Sequence, residues 1–229
     1  MKLSRPIIIS FSGMDGAGKS TQIANLKSVA EQHGLKTTIL TFWDNVVVLS
    51  RYREGFVKKV FKSESGVGEP GKPVNRRDKN VRGWHVNALR HGLYGLDALH
   101  LPRVIGHARK EGADVIIMDR YIHDELANLP LENPLTKAYI KIAAKIVPQP
   151  DIAFVLDADP EAARARKPEY PLDFLYKVRQ SYLDLANLLG TITVVPALSL
   201  PEAKSVVELS FRRVLANRGV KLRFGMWAA

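Results

Sequence analysis

Short apolar runs alternate along the chain with longer segments in which apolar residues recur at helical spacing. Five runs predict strands: 6–11 (PIIISF), 36–43 (KTTILTFW), 114–119 (DVIIMD), 152–157 (IAFVLD) and 191–195 (TITVV), all rich in β-branched or aromatic residues. Helices are predicted over 21–33, 84–111, 134–147, 160–167, 172–189 and 201–217. In 84–111 the apolar positions are Val86, Leu89, Leu93, Leu96, Leu99, Val104 and Ile105, and Pro102 breaks or kinks the segment, so two helices are possible. The segment 160–167 opens on a proline suited to a first helical turn, and Pro168 and Pro171 then interrupt it. Strands alternating with helices predict an α/β fold, a five-stranded parallel sheet with helices on both faces. Right-handed crossovers place the strand C-termini at one edge, the edge where such sheets bind ligands. Residues 13–21, Trp43, Asp44, Asp119, Arg120 and Asp157 gather there.

Two stretches lack this regularity. Residues 44–52 read as a loop or a helix start, followed by a basic, partly apolar segment with Arg51, Arg53, Lys58 and Lys59. Residues 62–82 hold Gly66, Gly68, Pro70, Gly71 and Pro73, then Arg76, Arg77, Lys79 and Arg82, and read as a long surface loop. Loops of that length are often lids or binding loops; an insertion without a role is the alternative. No internal repeat or domain boundary appears, so 1–229 reads as one domain.

Between the first strand and the first helix lies Gly13-Met14-Asp15-Gly16-Ala17-Gly18-Lys19-Ser20-Thr21. It fits G-x-x-x-x-G-K-[ST] and has the strand–loop–helix context that pattern needs. The glycines let the backbone approach a ligand closely. Loop N–H groups and the positive end of the helix then cradle phosphate oxygens. Lys19 can reach the outer phosphates and the Ser20 hydroxyl can ligate Mg2+. Asp119 ends an apolar strand and can hold the same ion directly or through water.

Composition narrows the class. Hydrophobic residues make up 46% and charged residues 25% of 229, which marks a globular chain with a substantial core. The absence of cysteine excludes disulfide frameworks and thiolate metal sites and favours a reducing compartment. No apolar run approaches ~18 residues and no signal peptide is visible, so a cytoplasmic location without a membrane partner is expected. The net charge of +11 attracts polyanions. Nucleic acid is one such partner; two phosphorylated small ligands are the other. The basic residues are spread out with no aromatic-studded stripe, which favours the small ligands. The six histidines show no metal-ligand spacing, and His85, His91 and His100 read as ordinary helix-face residues.

Four places together resemble the thymidylate kinases, in the nucleoside-monophosphate kinase group of P-loop NTPase folds: 11–21 (FSGMDGAGKST), Asp119-Arg120-Tyr121, 156–161 (LDADPE) with Arg164 and Arg166, and 178–183 (VRQSYL). The resemblance runs from about residue 7 to residue 215. It implies ATP as donor, Mg2+ as cofactor and Gly13 to Thr21 as the ATP-binding loop. Asp15 would contact the acceptor's 3′-hydroxyl, Lys19 the donor phosphates and Arg120 the acceptor phosphate. Arg164 and Arg166 would sit on a mobile lid, about 160–171, and close over the γ-phosphoryl. With Ala17 in the loop where another branch carries Arg, the lid would supply the catalytic arginine. Trp43, Arg53, Tyr94, Asp97 and Tyr121 complete the candidate acceptor site, where Trp43 could instead cap the sheet edge and Tyr94 instead be a core aromatic; the resemblance also implies a homodimer through long helices.

The chain departs from that family in two places. No run like Arg-Glu-Pro-Gly-Gly follows the second strand, where 42–46 reads FWDNV; the fragment Glu69-Pro70-Gly71 lies far downstream. In 93–98 (LYGLDA), Tyr94 matches an aromatic that stacks on the base, while Ala98 stands where an arginine bonds it. The acceptor is therefore open between dTMP and a related (deoxy)nucleotide. A kinase of the same fold acting on a nucleoside or other hydroxyl, with Asp119 and Arg120 orienting it, is one alternative. A non-catalytic nucleotide- or nucleic-acid-binding relative is the other.

Overall fold

The computed structural model describes residues 5–48 and 84–220, with the side chains of 84–87 left aside. Arg53 and the loop expected at 62–82 lie outside the described residues. The five strands are β1 (Ile7–Ser12), β2 (Thr37–Thr41), β3 (Val115–Asp119), β4 (Ile152–Leu156) and β5 (Ile192–Val195). They form one parallel sheet in the order β2-β3-β1-β4-β5. The helices are α1 (Lys19–Gln32), α2 (Trp84–Lys110), α3 (Ile122–Leu126), α4 (Pro134–Ile146), α5 (Pro160–Arg166), α6 (Leu172–Leu189) and α7 (Leu200–Asn217).

Both faces of the sheet are buried, which is why its strands are apolar runs rather than alternating patterns. Ile7, Ile9 and Phe11 of β1 pack with Val115, Ile117 and Phe154 against Ile23 and Leu26 of α1 and Phe211 of α7. The Phe11 and Phe154 rings stack 5.2 Å apart across β1 and β4. On the other face, Ile116, Met118 and Val155 pack against Leu101 of α2, Ile122 of α3, Ile140 of α4 and Leu185 of α6. Side chains alternate along a strand, so Ser10 and Ser12 belong to this second face.

Three sequence expectations change. The segment from Trp84 is one helix that continues through Pro102. Pro102 lacks the N–H that would meet the Ala98 carbonyl, and Leu101 and Ile105 anchor the turn in the core. The second strand stops at Thr41, because Phe42 turns into the core and starts a π-helical turn, Phe42–Val46. The Asn45 side chain accepts from the Thr41 N–H at 2.8 Å and closes that turn. The short helix α3 was not foreseen at all.

Parallel register brings the carboxyl ends of three strands together. Phe11 of β1 and Thr41 of β2 both lie opposite Asp119 of β3. The loop after β1 therefore meets the residues after β3 and β4 at the edge where the strand order reverses around β1.

Candidate active site

The loop from Gly13 to Gly18 is built for close approach. Gly13, Gly16 and Gly18 have φ of 135°, 83° and 87°, values side chains rarely adopt. A Cβ on Gly13 would stand 2.6 Å from the Leu156 carbonyl oxygen, and one on Gly16 would stand 2.4 Å from that of Ala163. Helix α1 begins at Gly18 with no side-chain cap and no acid in its first turn. By contrast α4 is capped by Asn133, α5 by Asp159 and α7 by Ser199 with Glu202. The first-turn N–H groups of α1 are thus left for a ligand, and the helix dipole favours an anion there.

Lys19 is buried and donates to the carbonyls of Gly13 at 2.9 Å and Met14 at 2.8 Å. Burial and the nearby Arg120 cation pull its pKa down to about 8, against the attraction of Asp15, Asp124 and Asp119. The ammonium therefore rests on two carbonyls of its own loop, next to the cradle. Ser20 and Thr21 are exposed on the first turn, and Asp119 is partly exposed at the end of β3. Among the described residues no group of three acidic or histidine ligands forms a cation cage. Mg2+ on a phosphate chain needs only one or two protein oxygens, the rest being water and phosphate, and Ser20 with Asp119 fits that donor set.

Arg120 follows β3 in a left-handed conformation, φ 69°, unusual for a residue with a side chain. Its N–H donates to the Phe11 carbonyl at 2.9 Å, which pins the turn to β1. The guanidinium reaches the phosphate loop: Nη2 donates to Asp15 Oδ1 at 2.6 Å. Nη1 donates to Asp124 Oδ1 at 2.9 Å. Asp124 also accepts from the Ser12 hydroxyl at 2.6 Å, the Tyr121 N–H at 3.1 Å and the Tyr182 hydroxyl at 2.6 Å. One buried carboxylate thus joins β1, α3 and α6 to the arginine beside the loop.

The segment expected as a lid lies on this loop. Ala163 and Tyr170 pack with Met14, Ala158, Phe174 and Leu175, and Ala17 borders the cluster. Arg164 and Arg166 are exposed, and neither is in an ion pair among the described residues. At the root of the segment, Asp157 takes a bidentate pair from Arg179 of α6, both bonds 2.7 Å.

The residues expected around an acceptor are placed unevenly. Trp43 is 42% exposed beside Phe42, and Tyr94 is partly buried against the core. Tyr121 has a fully buried ring whose hydroxyl donates to the Pro148 carbonyl, and its backbone N–H joins the Asp124 network. Asp97 is fully buried and accepts the Val48 N–H at 2.8 Å, which ties the chain after the π-helical turn to α2. Asp124, Tyr182 and Arg179 were given no role from sequence. Asp124 stands five residues after Asp119, one turn beyond Arg120, and that i,i+4 spacing was the available signal.

His123 sits beside Asp124, and its Nδ1 is buried with no hydrogen-bond partner among the described residues. Burial lowers its pKa from 6.5 to about 4, with Asp124 pulling the other way. The unfolded chain therefore binds more protons between those values. Stability is full above pH 6.5 and falls as pH drops toward 4, by on the order of 3 kcal/mol. Urea unfolding at pH 7 and pH 4.5 is expected to show that loss, and His123→Leu to remove most of it.

A parallel sheet of order 2-3-1-4-5, with a glycine cradle and a buried lysine between its central strand and first helix, defines a P-loop fold of the nucleoside-monophosphate kinase kind. Comparison with known proteins agrees. The chain is 30% identical over 217 residues to a probable thymidylate kinase of Pyrobaculum aerophilum, covering 90% of this chain and 97% of that one. A probable thymidylate kinase of Archaeoglobus fulgidus is 27% identical over 88% of this chain and 93% of its own. A thymidylate kinase of Bifidobacterium longum subsp. infantis is 29% identical over 79% of this chain and 74% of its own. Among solved structures, thymidylate kinase from Candida albicans superposes with a TM-score of 0.58 at 19% identity, covering 96% of both chains. That of Ehrlichia chaffeensis gives 0.54 at 18%, covering 93% and 99%. These two speak for the fold. No protein-family model matches the chain. The chain belongs to the thymidylate kinase-like family of nucleoside-monophosphate kinases. No helix among the described residues is long and apolar enough to cross a membrane.

Proposed function

We propose that this protein is an ATP- and Mg2+-dependent nucleoside-monophosphate kinase of the thymidylate kinase type, with dTMP or a related (deoxy)nucleotide as acceptor. The observation that carries the reading is the 2.6 Å bond between Arg120 and Asp15. It puts a permanent cation, suited to an acceptor phosphate, directly against the loop that cradles donor phosphates.

The reaction joins an oxygen of the acceptor phosphate to the γ-phosphorus and breaks its bond to the β,γ-bridging oxygen, releasing ADP. The attacking oxygen is already anionic, so no general base is required. Catalysis then rests on positioning and charge. The loop amides and Lys19 hold the donor phosphates, and Lys19 exchanges its two carbonyl partners for phosphate oxygens. Ser20 and Asp119 would hold Mg2+, which would supply charge neutralisation to the donor phosphates. Arg120 orients the acceptor phosphate, and Asp15 turns toward the acceptor sugar. Arg164 and Arg166 cover the γ-phosphoryl and keep water from taking it. Two copies pairing through α2 and α4 belong to the same proposal; exposed Leu96, Leu99, Ile142 and Ile146 supply an apolar face, and sedimentation tests it.

Arg164 and Arg166 bond nothing among the described residues, so alanine at either changes stability by less than about 0.5 kcal/mol. The arginine that reaches the γ-phosphoryl is expected to cost about 100- to 1,000-fold in kcat when removed. Thermal melts and steady-state rates of both variants check this pair of outcomes.

The whole reading is tested by ATP consumption with Mg2+ against nucleoside monophosphates and the matching nucleosides. Turnover of a monophosphate is expected. Turnover of nucleosides alone would move the acceptor to a hydroxyl, and binding of ATP without any turnover would remove the enzyme assignment.

A further inference from the structure

We infer that Asp124 is a positioning residue for Arg120 and that, with Tyr182, it makes the site prefer a monophosphate over the matching nucleoside; this deepens the kinase reading and rests on it. Asp124 receives four donors at once, from Ser12, Arg120, the Tyr121 backbone and Tyr182. A carboxylate only accepts hydrogen bonds, so all four are served. An amide at this place would turn its two N–H bonds onto two of those donors. The group is also nearly sealed from water, its side chain 3% exposed against 21% for Asp15. Low local dielectric strengthens its hold on the guanidinium.

The two carboxylates on Arg120 are therefore not equivalent. Asp15 belongs to the loop, and its side chain is partly exposed where Asp124 is nearly sealed. Asp124 is fastened by three further bonds to a strand, a helix start and α6. When an acceptor phosphate takes the Nη2 side, Asp15 is displaced and Asp124 keeps the arginine aimed. The fastening reaches further. Tyr182 lies three residues beyond Arg179 on α6, and Arg179 clamps Asp157 at the root of the lid segment. One turn of α6 thus carries both the anchor of the acceptor cation and the anchor of the lid.

The test compares the unsubstituted protein with Asp124→Asn and Tyr182→Phe, using ATP, Mg2+ and dTMP as acceptor, with thymidine as competitive inhibitor. Asp124→Asn is expected to raise KM for dTMP about 10- to 100-fold, with KM for ATP and Ki for thymidine within twofold. Tyr182→Phe, which keeps the ring, is expected to raise KM for dTMP about 3- to 10-fold. Equal weakening of ATP, dTMP and thymidine would mark a purely structural acid and overturn the inference. A protein that turns over no monophosphate would sink the kinase reading instead. The positioning is then decided by phenylglyoxal modification of Arg120, read by peptide mass. Faster modification in folded Asp124→Asn supports it, and an unchanged rate overturns it.

Discussion

Replacing Lys19 with alanine is expected to lower kcat by about 1,000-fold, the largest single loss any side chain in this site should cause. The ammonium is buried at the mouth of the phosphate loop and bonded to two loop carbonyls. Those carbonyls are weak partners for a full charge, and burial has already lowered the pKa to about 8. The site thus holds a desolvated cation whose direct hydrogen-bond partners are neutral carbonyls. A triphosphate supplies an anionic partner, and the gain grows as charge builds on the transferred group. Stability should hardly change, because alanine removes a buried charge together with its two bonds. Arginine is expected to fail nearly as badly. Its wide planar fork does not fit where a compact ammonium sits between two carbonyls of the same loop. Turnover of Lys19→Ala within tenfold of the unsubstituted protein, at an equal melting temperature, would remove Lys19 from the mechanism.

The features legible in sequence are those set by local pattern. Runs such as IIISF and VIIMD have to be buried strands, and a glycine-rich loop between a strand and a helix has few other uses. The sheet, its direction and the edge that gathers Gly13, Asp119 and Arg120 followed from those runs. What stayed illegible depends on contacts distant in sequence. Asp124 reads as one more acid after an Asp-Arg pair, and only folding brings Ser12 and Tyr182 to it. Tyr121 and Asp97 lie inside motifs that align with an acceptor site, and only folding shows that the ring of one and the carboxylate of the other are buried. Pro102 also departs from a local rule: the rule predicted a break or kink, and the helix continues through it with Leu101 and Ile105 buried in the core.

The glycines of the loop divide by what surrounds them, and that division gives the second large effect. Gly16 and Gly18 have almost the same backbone, φ 83° and 87°, so an alanine at either meets the same left-handed penalty of about 1–2 kcal/mol. Their neighbours differ. A Cβ on Gly18 meets nothing within 4 Å. A Cβ on Gly16 meets the Ala163 carbonyl oxygen at 2.4 Å, a backbone atom of α5 that cannot rotate away. To admit it, α5 must lift from the loop and break the packing of Ala163 and Tyr170 on Met14. Gly16→Ala is therefore expected to cost about 3–5 kcal/mol, strain and overpacking together, against about 1–2 for Gly18→Ala. For a chain of this size that is a drop of roughly 10 °C in melting temperature against roughly 4 °C. The lifted helix carries Arg164 and Arg166, so turnover should fall in Gly16→Ala beyond what its unfolded fraction explains. Melting curves of the two variants within 2 °C of each other would mean that the loop and α5 are not in contact in solution, and the closing role given to those arginines would then need a different geometry.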